Sequence, residues 1–228
     1  VTESVGLGFG AIGSNADGTF ADVDNDGDQD LFIGFSITES GPAQFLMLND
    51  GTGVFTDATA LSGIDGGGGG LAFGDYDEDG FVGLLSVSDF RVVLYRNNGN
   101  ANHWLRVELV GVESNRSGIG ARVIATSGEL QQMRQILAGR GRQQNEKVAH
   151  FGLAERTRVD RLEIHWPSGQ VDVLSDISAD QKIRVIEGRG DYHVLHPTVW
   201  ERRPPTALVA GSTVELTAVV RPAPFEPS

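Results

Sequence analysis

The sequence contains no cysteine, so no disulfide can hold the fold and no thiol can serve as nucleophile or soft metal ligand. It also lacks any apolar run near the ~20 residues that a membrane-spanning helix needs. Basic residues are scarce: 18 Lys and Arg stand against 31 Asp and Glu, a formal net charge of −13. So acidic a chain is a poor partner for nucleic acid, whose phosphates are gripped by Lys and Arg. Long helical periodicity is missing as well. What remains is a succession of short apolar runs punctuated by Gly, Asn and Asp, the signature of an all-β protein, in a chain long enough for one large domain or two small ones.

The acidic residues are not spread evenly. Asp22-Val23-Asp24-Asn25-Asp26-Gly27-Asp28-Gln29-Asp30 places five carboxylates within nine residues. In a compact structure their repulsion calls for a cation, and an all-oxygen donor set suits calcium. Asp22, Asp24 and Asp26 fall at loop positions 1, 3 and 5, and Gly27 supplies the sharp turn. An EF-hand would carry a bidentate Glu at position 12, between two helices. Position 12 here is Ile33, and the flanks Thr19-Phe20-Ala21 and Leu31-Phe32-Ile33 read as strands. The pattern is therefore a shorter loop that closes at Asp30, with the Asp28 carbonyl as a further ligand, set in a turn between two strands.

A second copy follows: Asp75-Tyr76-Asp77-Glu78-Asp79-Gly80-Phe81-Val82-Gly83. Asp75, Asp77 and Asp79 repeat the alternation, but position 9 is Gly83, which leaves this loop one carboxylate weaker. The downstream context also recurs, as Leu48-Asn49-Asp50-Gly51 and Tyr95-Arg96-Asn97-Asn98-Gly99. The bland alternative for both copies is a solvated Asp-Gly turn. With the repeat in view, the chain resembles the FG-GAP/VCBS repeats of integrin-like β-propellers, and that resemblance implies Ca2+ in D-x-D-x-D-G-x-x-D loops. Two blades do not close a propeller, so open faces and strand edges are expected.

Residues 1–101 alternate short strands with turns, and the glycine run 66–70 reads as a permissive loop. From His103 onward the strands lengthen and alternate apolar with charged residues, as in Trp104–Val110, Ala121–Ala125, Arg161–Trp166 and Lys182–Ile186. This is a β-sandwich pattern. Asn115-Arg116-Ser117-Gly118-Ile119-Gly120-Ala121-Arg122-Val123, His150-Phe151-Gly152-Leu153 and Val159 through Gly169 resemble the ASPIC/UnbV domain, which often follows FG-GAP/VCBS repeats. The aromatic expected near 140–144 is absent. The resemblance implies an extracellular or envelope-associated protein and brings no catalytic residue. The sequence thus divides into calcium-loop repeats at 1–101, a sandwich at 102–188 and a Pro-rich tail at 189–228 with one strand at 212–220. That strand has no evident partner within its own domain. It is expected to begin a further domain, pack back on the sandwich or pair with a neighbouring subunit.

Other motifs weigh less. Arg189-Gly190-Asp191 is the integrin-recognition tripeptide and needs a presented loop tip to act. Asn115-Arg116-Ser117 fits a glycosylation sequon, but it coincides with the family motif and reads as a turn. His193 and His196 are two ligands at most. Trp104 and Trp166 read as packing, and Trp200 as an anchor for the tail. No nucleophile elbow is present. Chain and context point to a non-enzymatic, calcium-stabilised extracellular or cell-surface structural and adhesion module, with self-assembly into fibres as one route. The alternative is carbohydrate recognition within a larger secreted protein. The expected partners are another copy, an extracellular protein or a glycan.

Overall fold

The structure is a computed structural model and describes residues 16–35, 43–64, 70–87, 92–139, 146–196 and 216–219. Wherever apolar residues alternate with polar ones, strands form and pair. β1 (Ala16–Ala21), β2 (Asp30–Phe35), β3 (Ala43–Asn49) and β4 (Phe55–Asp57) make an antiparallel sheet in chain order. One turn of helix, α1 (Thr59–Ser62), follows and ends on Gly63, whose φ of 70° suits the left-handed cap. β5 (Gly70–Gly74), β6 (Gly83–Val87) and β7 (Val92–Asn97) then repeat the meander. In each repeat the acidic segment is the connection between the first two strands: Ala21 pairs with Asp30, and Gly74 with Gly83.

Eight strands follow: β8 (His103–Val110), β9 (Arg122–Ser127), β10 (Leu130–Gln135), β11 (Val148–Ala154), β12 (Arg158–His165), β13 (Val171–Ser178), β14 (Gln181–Ile186) and β15 (Tyr192–Leu195). They form two sheets, in the orders β10-β9-β12-β13 and β11-β8-β14-β15, with β14 parallel to β8. The alternating apolar faces of both sheets merge into one core that includes Leu105, Val123, Phe151, Leu162 and Ile183. A separate core fills the space between the two repeats around Phe32, Leu46, Phe73, Leu84 and Tyr95, where the Phe32 and Phe73 rings meet edge to face at 6.1 Å. The protein is all-β, and none of its sheets closes on itself among the described residues.

The tail strand is where the structure departs from the sequence reading. β16 (Leu216–Val219) pairs antiparallel with β7, with Leu216 opposite Asn97 and Val219 opposite Leu94. It joins neither a further domain nor the 103–195 sheets, but completes the second repeat as its fourth strand. The physical reason is the bare edge of β7, whose N–H and C=O groups would otherwise lack partners. The rest of the 212–220 span, Trp200, the prolines from Pro197 onward, Gly66–Gly69 and the 140–144 segment lie outside the described residues. Trp104 and Trp166 are buried, as packing residues should be, and the Trp166 indole N–H donates to Asp172 at 2.8 Å.

A candidate metal centre at the junction of the two parts

The first acidic loop folds back on its own amides. Asp22 Oδ2 accepts from the Gly27 amide at 3.2 Å, Asp24 Oδ1 from Asp26 at 3.3 Å and Asp26 Oδ1 from Asp28 at 2.9 Å. Asn25 adopts φ 58° and Gly27 φ 108°; Glu78 and Gly80 repeat this with 56° and 92°. The two loops thus share one backbone path, and the glycine at position 6 is required by its positive φ. Asp30 is tied down by both carboxylate oxygens, Oδ2 accepting from Val23 and Oδ1 from Asn49, each at 2.9 Å.

Folding gathers carboxylate oxygens of Asp22, Asp24 and Asp30 within 4.8 Å of one another, and those of Asp75, Asp77 and Asp79 likewise. Asp26 and Asp28 stand outside the first of these clusters. The Asp28 carboxylate lies against Gly51, where an added Cβ would come within 2.5 Å of it; the sequence reading had assigned its carbonyl, not its side chain, as a ligand.

Burial pushes the Asp22 carboxyl well up, with Arg134 opposing and the neighbouring aspartates adding to the shift. Burial also raises Asp24 to about 6, helped by Asp26, and Asp30 to about 7 against the hydrogen bonds from Asn49 and Val23. Asp75 rises to about 7 through burial, opposed by Arg106. Crowded carboxylates of this kind hold protons unless a cation replaces them. Asp22 Oδ1 is fully buried and has no hydrogen-bond partner. An orphaned carboxylate oxygen on a residue clustered with two further carboxylates, in an all-oxygen set, fits a hard divalent cation.

The second half of the chain supplies the walls. The Gly152 amide of β11 donates to Asp22 Oδ2 at 3.1 Å, and the Ala154 amide to the Asn25 carbonyl at 2.8 Å. His150 Nε2 lies 2.7 Å from Asn25 Oδ1. Because Asn25 Nδ2 donates to the Gly80 carbonyl at 3.1 Å, its Oδ1 is the acceptor and Nε2 carries the proton. Burial, then Arg106 and Arg134, depresses His150 to about 3, so the imidazole is neutral. Asn102 Nδ2 donates to the Asp24 carbonyl at 2.9 Å, and Asn97 Nδ2 to the Val23 carbonyl at 2.6 Å. A cleft of about 320 Å³ opens beside Asp22, with Gln29, Arg134, Glu146 and His150 on its walls.

The second loop is docked by charge. Arg106 Nη1 of β8, fully buried, lies 2.8 Å from Asp75 Oδ2, and its Nη2 bonds to Glu146. The Trp104 ring lies against Gly80, where any Cβ would overlap it. Lys182 Nζ reaches Glu78 at 3.2 Å. The other motifs also find places. Asn115 spends its side chain on the Ile119 backbone, accepting at 2.9 Å and donating at 2.6 Å, as a turn residue does. Arg189-Gly190-Asp191 is exposed in the connection between β14 and β15.

Residues 22–86 match the FG-GAP-like repeat and residues 111–191 match ASPIC and UnbV. The chain thus carries a stretch similar to FG-GAP-like repeats that leads into one similar to the ASPIC/UnbV domain. It is 31% identical over 168 residues to cartilage acidic protein 1 of Xenopus tropicalis, covering 66% of this chain and 25% of that protein. It is 32% identical over 133 residues to cartilage acidic protein 1 of Mus musculus, covering 54% of this chain and 20% of that protein. The chain thus spans about a quarter or less of the length of these relatives.

Proposed function

We propose that this chain is a non-catalytic, calcium-stabilised extracellular module whose ion fixes the repeats to the ASPIC/UnbV domain. The observation that carries the reading is Asp22, which is buried, has an unpartnered Oδ1, lies in one carboxylate cluster with Asp24 and Asp30, and accepts from Gly152 of the other unit with its Oδ2. Asp22, Asp24 and Asp30 would hold the ion with the Asp28 carbonyl, and the ion would supply the positive charge that lets these carboxylates stay ionised. Loops of this strength fill where calcium is abundant, as it is outside cells. No helix among the described residues is long and apolar enough to cross a membrane. On this reading the two repeats are blades of a propeller and the two later sheets a sandwich; the shared cores support both assignments.

Calcium that binds only the folded state adds about 2.7 kcal/mol at a hundredfold excess over Kd. Thermal melting of the wild-type chain and of Asp24→Ala, in millimolar calcium and in chelator, tests the reading. The variant in calcium is expected to melt near the chelated wild type, and an unchanged melting temperature would sink it.

The adhesive part of the reading draws on Arg189-Gly190-Asp191. The base of its turn is pinned, Gly188 donating to Asp172 Oδ2 at 2.9 Å, while all three tripeptide residues are exposed. Cell attachment to the immobilised chain, lost on Asp191→Glu, is the corresponding test. Fibre assembly would proceed by exchange of β16 between copies, since within one chain that strand already covers β7.

A further inference from the structure

The two loops follow the same backbone path, but their charges are met differently. Arg96 of β7 places Nε 2.7 Å from Asp77 Oδ2 and Nη2 2.9 Å from Asp79 Oδ2. Arg106 meets the third carboxylate, Asp75. In the register of the first repeat, Leu31 faces Met47 as Leu84 faces Tyr95, so the counterpart of Arg96 is Leu48. No arginine comes within hydrogen-bond distance of the first cluster among the described residues; Arg134 stands 4.0 Å from Asp22. The loss of the position-9 carboxylate is structural as well. A Cβ on Gly83 would come within 2.8 Å of the Tyr95 carbonyl and 3.1 Å of the Tyr76 ring, so no aspartate fits there without displacing backbone.

We propose that the second loop works without a metal ion, the Arg96 guanidinium doing for Asp77 and Asp79 what calcium does for the first loop. A planar guanidinium with fixed donors suits two carboxylates presented side by side, and it holds the turn whatever the calcium level. The chain then carries one calcium-dependent and one calcium-independent fastening between repeats and domain. This division of labour rests on the proposed calcium site in the first loop.

Calcium counted by equilibrium dialysis on the whole chain tests it. One ion per chain is expected for the wild type and for Asp77→Asn, and none for Asp24→Asn. Arg96→Leu is expected to bind a second, weaker ion, with a lower melting temperature in chelator that calcium restores. Two ions in the wild type, or loss of an ion on Asp77→Asn, would overturn the proposal. Asp77→Asn keeps that test open should Arg96→Leu not fold. If the wild type binds none while Arg96→Leu gains a rescuing ion, the first-loop reading fails and the arginine assignment stands.

Discussion

The Gly152 amide of β11 donates to Asp22 Oδ2 across the junction of the two units, 130 residues apart in sequence. The approach is close because Gly152 has no side chain: a Cβ there would overlap both Asp22 Oδ2 and the Asn25 backbone. Gly152→Ala is therefore expected to push the first loop away from the domain and destabilise the chain by about 1–3 kcal/mol, the usual range for overpacking. Calcium affinity, read by titration calorimetry, should fall with it. Wild-type affinity in this variant would mean that the loop is built without help from β11.

The raised carboxyls set an unusual pH response. Asp24, Asp30 and Asp75 hold protons up to about 6, 7 and 7 in the folded chain, whereas an unfolded aspartate releases its proton near 4. Between these values the folded state binds more protons, so stability is fully present below about pH 4 and is lost as pH rises through 6 to 7. In chelator, the urea midpoint is expected to be higher at pH 5 than at pH 7.5. With calcium the ion takes the protons' place at Asp24 and Asp30, so calcium should protect strongly at pH 7.5 and little at pH 5. An identical calcium effect at both values would argue against Asp24 and Asp30 as ligands.

What the sequence makes legible here follows from local chemistry. The D-x-D-x-D-G alternation locates both turns because glycine and the crowding of acids act within a few residues, and β8, β9, β12 and β14 show in their period of two. The strands that stay hidden are those whose environment is not local. β10 (Leu-Gln-Gln-Met-Arg-Gln) is mostly polar because Gln132 and Arg134 face the junction, where they bond to the Gly152 and His150 carbonyls. β11 is interrupted by the glycine that the Asp22 contact demands. His150 carries no sign in its neighbours that Asn25 will meet it, and Arg96 looks like an ordinary strand cation until β7 is laid beside the loop. The tail strand is visible as a strand, but its partner lies over a hundred residues away in the chain, beyond the reach of any local pattern.

Glu187 is a second fastening, inside the ASPIC/UnbV unit. Its Oε2 accepts from the amides of Val112, Glu113 and Ser114 at 2.7, 2.9 and 2.8 Å, and its Oε1 from the Ser114 and Ser168 hydroxyls. Burial would raise this carboxyl, but the hydrogen bonds from Ser168, Ser114 and Val112 outweigh it and hold the group at about 2. A lowered carboxyl stabilises above its unfolded value and loses that contribution as pH falls from about 4.5 through 2. Glu187→Gln keeps the shape, removes the charge and is expected to cost on the order of 2 kcal/mol at pH 7. The difference from wild type should shrink toward pH 2 in acid denaturation; a constant difference would mean that the carboxylate charge is not the cause.

Arg106 stands between two acids, with one guanidinium nitrogen on Asp75 and another on Glu146, on a strand whose neighbours Leu105 and Val107 are core residues. Arg106→Leu would leave Asp75 buried and without its cation, and breaking a buried pair from one side costs about 3–5 kcal/mol. The partner change Asp75→Asn removes the stranded charge, so the double variant should be markedly more stable than Arg106→Leu alone. Arg106→Lys is expected to recover only part of the loss, since a single ammonium cannot present the fork that reaches both acids at once. Denaturant unfolding of the four proteins closes the cycle. If the two single changes simply add, Asp75 and Arg106 are neighbours without being coupled, and the second loop is held to the domain by the Trp104 contact instead.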